Sequence, residues 1–248
     1  MSEMSFWDHL GELRKRIVYA VYGLVVGFAV AYYFSQEIFH WLMRPLCQAF
    51  HQEDCKLQAL GVAEAFVTYL KTGLIGGIFI SSPWIFYQLW AFVRPALREK
   101  EKKWVVPFVL LASVMFVGGS IFSYFTCFPY VFEYFVQMAG PHVQVQPSMN
   151  AYFDFAATLL IGFGLLFEVP VLTILFHTIG LVKAKTLWKT WRYAILIIYV
   201  LAAIVTPPDP LTMLFLGTPL AVLYILTLVV CSLLESVAKK KSVEPTIS

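Results

Sequence analysis

Charge is almost absent from six long stretches of this chain, and that pattern constrains its fold more than anything else. The uncharged runs are Ile17–Gln36, Thr72–Val93, Trp104–Phe132, Phe155–Val182 (interrupted only by Glu168), Tyr193–Pro208 and Pro210–Leu234. About 20 apolar residues of helix cover the roughly 30 Å hydrocarbon core of a bilayer. Overall, 60% of the 248 residues are hydrophobic and 13% charged, against about 45–50% and about 25% in soluble domains. A globule of this size cannot hide that much apolar surface. The expectation is an all-α, polytopic membrane protein of six transmembrane helices. The fifth and sixth can be short, because the residues from Tyr193 to Thr206 before Pro207-Pro208 make only about 21 Å of helix. A re-entrant hairpin over Tyr193–Leu234 is the rival reading.

Fifteen of the 18 Lys and Arg residues fall in alternate connections. They are Arg14–Arg16, the loop 94–103, the loop 183–192 and the tail at Lys239–Lys241. Positive residues stay on the cytoplasmic side, so both termini are expected inside. The chain reads as one integral membrane domain, 1–248. Its parts are a cytoplasmic amphipathic segment over 1–16, external loops over 37–71 and 133–154, cytoplasmic loops over 94–103 and 183–192, and a tail over 235–248. Phe6, Leu10, Leu13 and Ile17 suggest a short helix on the inner surface that turns into span one. The first 16 residues do not read as a cleavable signal. The first external loop has apolar residues spaced for short capping helices. Cys47 and Cys55 both lie there, where a disulfide is open as a possibility.

Searching for chemistry returns little. Phosphate-binding, nucleophile-elbow and zinc-helix motifs are missing, and the five histidines pair with no Cys or carboxylate at metal-ligand spacing. No enzyme, cofactor, metal or nucleic-acid role is expected. Gly23-x-x-x-Gly27 and Gly73-x-x-x-Gly77 read as helix packing. Glu168 is the one ionisable residue deep within a run, with thirteen uncharged residues before it and fourteen after. A carboxyl group there is costly and faces an interior or a watery cavity. Pro170 adds polarity by leaving the carbonyl of Leu166 without its helical donor. A packing hydrogen bond, partner binding and a proton-linked step all remain open for Glu168. Gln88 is a second polar residue in an apolar run. Glu12, Glu99 and Glu101 sit among basic residues, where solvated pairing is the plain reading.

Several strings together resemble one family, TatC, the integral-membrane receptor subunit of the twin-arginine protein translocase. They are His9-Leu10-Gly11-Glu12-Leu13-Arg14-Lys15-Arg16, Arg44-Pro45-Leu46, Ser82 to Leu97 running on to Glu101, Phe128-Pro129, Phe163 to Pro170 and Thr206-Pro207-Pro208-Asp209. The resemblance implies a non-enzymatic receptor in the bacterial cytoplasmic (inner) membrane. Such a receptor binds signal peptides with two consecutive arginines, in a translocase that exports folded proteins using the proton-motive force. It implies single-span TatA/TatB-type partner subunits, twin-arginine precursors, surrounding lipid and an oligomeric complex. By resemblance, Glu12 and Glu101 would receive the arginines, and Phe92 and Leu97 would line the site. Glu168 and Gln88 would form polar points in a groove for partner subunits, and Pro45 and Asp209 match external-side family positions. The alternative class is a small secondary transporter or channel using Glu168. Against it stand the absence of a repeat and of a second deep charge.

Overall fold

The computed structural model describes residues 6–50, 56–94, 105–140, 146–205 and 210–243. Among them, six helical stretches are long and apolar enough to cross a membrane: His9–Tyr33, Glu64–Val93, Val105–Ala139, Met149–Thr178, Ala184–Ile204 and Thr212–Val237. The contacts divide the chain into two compact units, Met1–Phe163 and Gly164–Ser248.

In the first unit, α1 (Phe6–Tyr33) runs antiparallel to α3 (Glu64–Val93). No turn separates the expected surface segment from span one. The 28-residue helix is continuous, because it holds no proline and its lone early glycine, Gly11, costs only about 1 kcal/mol. The two glycine pairs seat α1 against α3. A Cβ on Gly77 would stand 2.7 Å from the backbone nitrogen of Phe28, and one on Gly27 would stand 2.7 Å from the carbonyl oxygen of Gly77. The backbones touch there, and any side chain would force them apart. Nearer the N-terminus of α1, the Trp84 indole donates to the carbonyl of Tyr19 at 2.8 Å. The other side of α3 meets α4 (Val105–Phe122) through ring contacts, Trp90 on Phe108 at 5.4 Å and Phe79 on Phe116 at 5.2 Å.

A single π-turn, Ser123–Cys127, joins α4 to α5 (Phe128–Ala139). Pro129 supplies no N–H to the turn before it, and a widened turn is the local answer. The helix thus continues past Phe132 into the segment read as the second external loop, and ends at Gly140 with φ +71°. α6 begins at Met149 and ends at Leu166. The segment read as the first external loop is also mostly helical among its described residues. In α2 (Ser35–Ala49) the residues Ser35, Phe39, Leu42, Pro45, Leu46 and Ala49 are buried along one stripe. Phe39 of that stripe meets Tyr69 at 5.9 Å and Phe153 at 6.4 Å. One short helix, α2, thus packs on this end of the unit; the second short helix expected over Val62–Leu70 is corrected, since Phe66 and Leu70 lie in the first turns of the long helix α3.

In the second unit, α7 (Glu168–Thr178) follows a break at Phe167, and α8 (Ala184–Val205) pairs antiparallel with α9 (Pro210–Val243). Trp188 donates to Ser232 Oγ at 2.8 Å, and the backbone N–H of Ala184 donates to Glu235 at 3.3 Å. The short fifth and sixth spans are corrected. α8 has 22 residues and α9 has 34, about 33 and 51 Å at 1.5 Å per residue. The helix starts at Ala184 because Lys185, Lys189 and Arg192 can lie along a helix with their charged heads in water. An uncharged run marks hydrocarbon depth and does not limit the helix. The re-entrant rival falls with it, since both arms are long enough to span.

Candidate functional site

Two polar features stand out on the described residues, one in each unit. At the end of the α1–α3 pair that carries Arg14–Arg16 and Arg94, the Glu12 carboxylate accepts from Arg16 at 2.6 Å and 2.7 Å. The same guanidinium reaches across to Gln88 Oε1 at 3.2 Å. One turn further out, His9 stacks on Phe92 with ring centroids 4.4 Å apart. The side chains of Glu12 and Arg16 are about a quarter exposed, at 22% and 25%, whereas Gln88 is buried at 3%. Glu12, Gln88 and Phe92 are thus brought together on one end of one helix pair. Arg16 and His9 complete the group and were not singled out from the sequence. The i,i+4 spacing of Glu12 and Arg16 was visible there. The contacts of Arg16 and His9 with Gln88 and Phe92, more than 70 residues away, were not. Glu99, Glu101, Leu97, Asp209 and Cys55 lie outside the described residues.

Glu168 opens α7 immediately after the break at Phe167. The cause is local: Pro170 cannot donate to the carbonyl of Leu166, and α6 ends at that residue. Glu168 is 8% exposed, and its Oε1 has no hydrogen-bond partner among the described residues. Buried polar atoms without partners are rare, and each calls for an explanation. Gln88 belongs to the first unit and Glu168 to the second.

Pro45 is buried within α2. Its ring leaves the carbonyl of Trp41, four residues back, without a helical donor. The Tyr124 hydroxyl fills that place at 2.6 Å, and the Tyr152 hydroxyl donates to the neighbouring Leu42 carbonyl. Nearby, Glu64 accepts from the backbone N–H of Gly61 at 3.1 Å and of Asn150 at 2.9 Å. Lys71 bonds Asn150 at 2.8 Å and Asp154 at 2.7 Å. These charged residues tie the start of α3 to the start of α6. Glu64 was not singled out from the sequence; an acid at a helix start is a local signal, whereas its bond to Asn150, 86 residues away, is not.

Compared with known proteins, residues 8–219 match the sequence model of the family described as Sec-independent protein translocase protein (TatC). The TatC protein of Desulforapulum autotrophicum is 41% identical over 224 residues, covering 90% of this chain and 83% of that protein. The TatC of Koribacter versatilis is 35% identical over 243 residues, covering 96% and 89%. Among solved structures, the crystal structure of a twin arginine translocase receptor, TatC, superposes with a TM-score of 0.77 at 29% identity. It covers 91% of this chain and 98% of that one.

Proposed function

The chain belongs to the TatC family of Sec-independent protein translocase proteins, and we propose on that premise that it is the twin-arginine signal-peptide receptor of its translocase. It is a multi-pass membrane component of protein transport. In this reading both termini are cytoplasmic, in the bacterial inner membrane, as the distribution of basic residues favours. Folded precursors arrive at that face, and the proton-motive force drives their export.

The observation that carries the reading is the Glu12–Arg16–Gln88 group beside Phe92. It holds a carboxylate in contact with a guanidinium, next to an apolar ring, at the membrane's basic edge. Arginine keeps its charge at any cellular pH and offers a planar fork that matches a carboxylate. Arg16 already occupies Glu12 as a substrate arginine would. Binding is then an exchange of one guanidinium for another on the same carboxylate. Glu101 would take the second arginine, and Phe92 and Leu97 would meet the apolar part of the peptide. Glu168, with its unmatched buried oxygen, offers an acceptor to a polar group on a single-span TatA/TatB-type subunit, and Gln88 is a further polar point for such a subunit. Pro45 and Asp209 support the external side. The receptor works as an oligomeric complex.

Twin-arginine and twin-lysine peptides titrated against the parent, Glu12→Ala, Glu101→Ala and the double variant test the claim. Charged hydrogen bonds contribute roughly 1.5–3 kcal/mol, so each loss weakens arginine binding by about ten- to a hundredfold. Glu99→Ala, two residues from Glu101, is expected to be nearly silent. An unchanged preference for arginine over lysine in the double variant would leave Glu12 and Glu101 as solvated charges.

A further inference from the structure

The amphipathic helix α2 carries a second recognition feature along the border between its buried stripe and its exposed face. Glu37, Ile38, Trp41 and Leu42, with Tyr124 from the π-turn, line an open groove of about 320 Å³. The Trp41 and Tyr124 rings stack at 6.1 Å. The guanidinium of Arg44 lies 5.1 Å over the Trp41 ring, which holds a cation at the groove's edge. Glu37 and Arg44 are both exposed, and neither has an ion pair or side-chain hydrogen bond among the described residues. Seven residues apart on one helix, they stand two turns, about 10.5 Å, from each other along the axis and on the same side.

Depth identifies what meets this groove. Ile38 packs against Gly76 of α3, 3.3 Å from where a Cβ would be. Gly76 precedes Val93, the last residue of α3, by about 26 Å of helix, close to the roughly 30 Å thickness of the hydrocarbon core. The groove therefore sits where acyl chains give way to headgroups, at the end opposite Glu12. Aromatic rings favour that zone. At this interfacial depth an apolar transmembrane helix of another protein would offer neither charge a partner of opposite sign. A phospholipid would instead pair them.

We propose that the α2 groove binds a zwitterionic phospholipid of the phosphoethanolamine type. Arg44 receives the phosphate, Glu37 receives the ammonium, and an acyl chain lies along Ile38, Trp41, Leu42 and Tyr124. The order of charges selects the class. A phosphoglycerol headgroup offers Arg44 the same phosphate but gives Glu37 no cation. The apolar groove excludes a free phosphate as sufficient ligand.

Native mass spectrometry of the full chain in detergent, titrated separately with dioleoyl phosphatidylethanolamine and dioleoyl phosphatidylglycerol, tests the site. The parent is expected to hold one phosphatidylethanolamine about tenfold more tightly than phosphatidylglycerol, the worth of one charged pair. Arg44→Gln weakens both lipids about tenfold. Glu37→Gln abolishes the preference while leaving phosphatidylglycerol binding intact, which a general loss of structure would not do. Circular-dichroism melts confirm that each variant is folded. Equal affinity for both lipids in the parent, unchanged in either variant, overturns the proposal and makes these lipids an ordinary annulus. Lipid binding unchanged in Arg44→Gln together with a loss of oligomer mass also overturns it, and assigns the groove to a second copy of the chain.

Discussion

Among the described residues, two prolines open the helical ladder at buried positions, and the two openings are treated in opposite ways. At Pro45 the freed carbonyl of Trp41 receives the Tyr124 hydroxyl, and its neighbour Leu42 receives that of Tyr152. A third proline, Pro83, shows the same repair in miniature: the Ser82 hydroxyl donates at 2.8 Å to the carbonyl of Phe79, four residues before the proline. At Pro170 the ladder also opens, yet the break is followed by a buried carboxyl group, Glu168, with an oxygen left unmatched among the described residues. The missing N–H opens the backbone ladder in each case; beside Pro170 the unmatched atom is the Glu168 side-chain oxygen rather than the freed carbonyl. Pro45 and Pro83 are closed joints and the Pro170 region is an open one. An unmatched buried polar atom costs about 1–3 kcal/mol, and the chain has the means to close such a gap. Thr68 Oγ1 and Ser123 Oγ are also unmatched among the described residues, but Glu168 is the one carboxyl group among the three, and a carboxyl group gains most from a partner on another molecule.

The largest effect is expected from inverting the charge at the open joint. Glu168→Lys sets an unpaired cation deep in the membrane, a cost of about 2.5–3.5 kcal/mol, and should lower export of a twin-arginine reporter by about a hundredfold at matched protein level. Glu168→Gln keeps a hydrogen-bonding oxygen and should retain most export. Should Gln fail as completely as Lys, the carboxyl group is needed for its charge or its proton, and the acceptor role is wrong. The next effect is a difference of sign between the joints. Glu168→Leu removes an unmatched acceptor and should raise stability in heat-unfolding experiments in detergent by about 1–3 kcal/mol while cutting export. Tyr124→Phe removes a donor from a closed joint and should lower stability by about 1 kcal/mol. Shifts of the same sign would erase the distinction.

How much of this could be read beforehand follows from what each feature depends on. The six spans were legible because charge exclusion from hydrocarbon acts on every residue of a run. Helix ends were not: α1, α8 and α9 continue well past their uncharged runs, into zones where lysine and arginine are tolerated. The freed Leu166 carbonyl was legible because Pro170 acts four residues back, but the break in the helix at Phe167 was not read from it. Its counterpart at Pro45 was half legible. The proline announces a freed carbonyl, but the hydroxyl that meets it is 83 residues further along. The Glu12 group divides in the same way. Its intrahelical pair could be read from spacing, while the reach of Arg16 to Gln88 needs the glycine contact that brings α1 and α3 together.

The smallest effect is also the most diagnostic of the closed joint, because it asks whether Tyr124 is there to answer Pro45. Pro45→Ala restores a backbone N–H, and that N–H can bond the Trp41 carbonyl within the helix. Alone, the change should be close to neutral in stability, since one donor replaces another and the alanine leaves only a small gap where the ring was. Placed together with Tyr124→Phe, it should recover most of the roughly 1 kcal/mol that the tyrosine change costs in the parent, because the carbonyl is no longer left bare. The coupling energy of this double-mutant cycle is therefore expected at about 0.5–1 kcal/mol, favouring the pair of changes. It is measured from four heat-unfolding curves under one detergent condition. Additive effects would mean that the Tyr124 hydroxyl contributes independently of the Trp41 carbonyl that Pro45 frees. The repaired joint would then be a coincidence of geometry, and the contrast with Glu168 would lose its reference point.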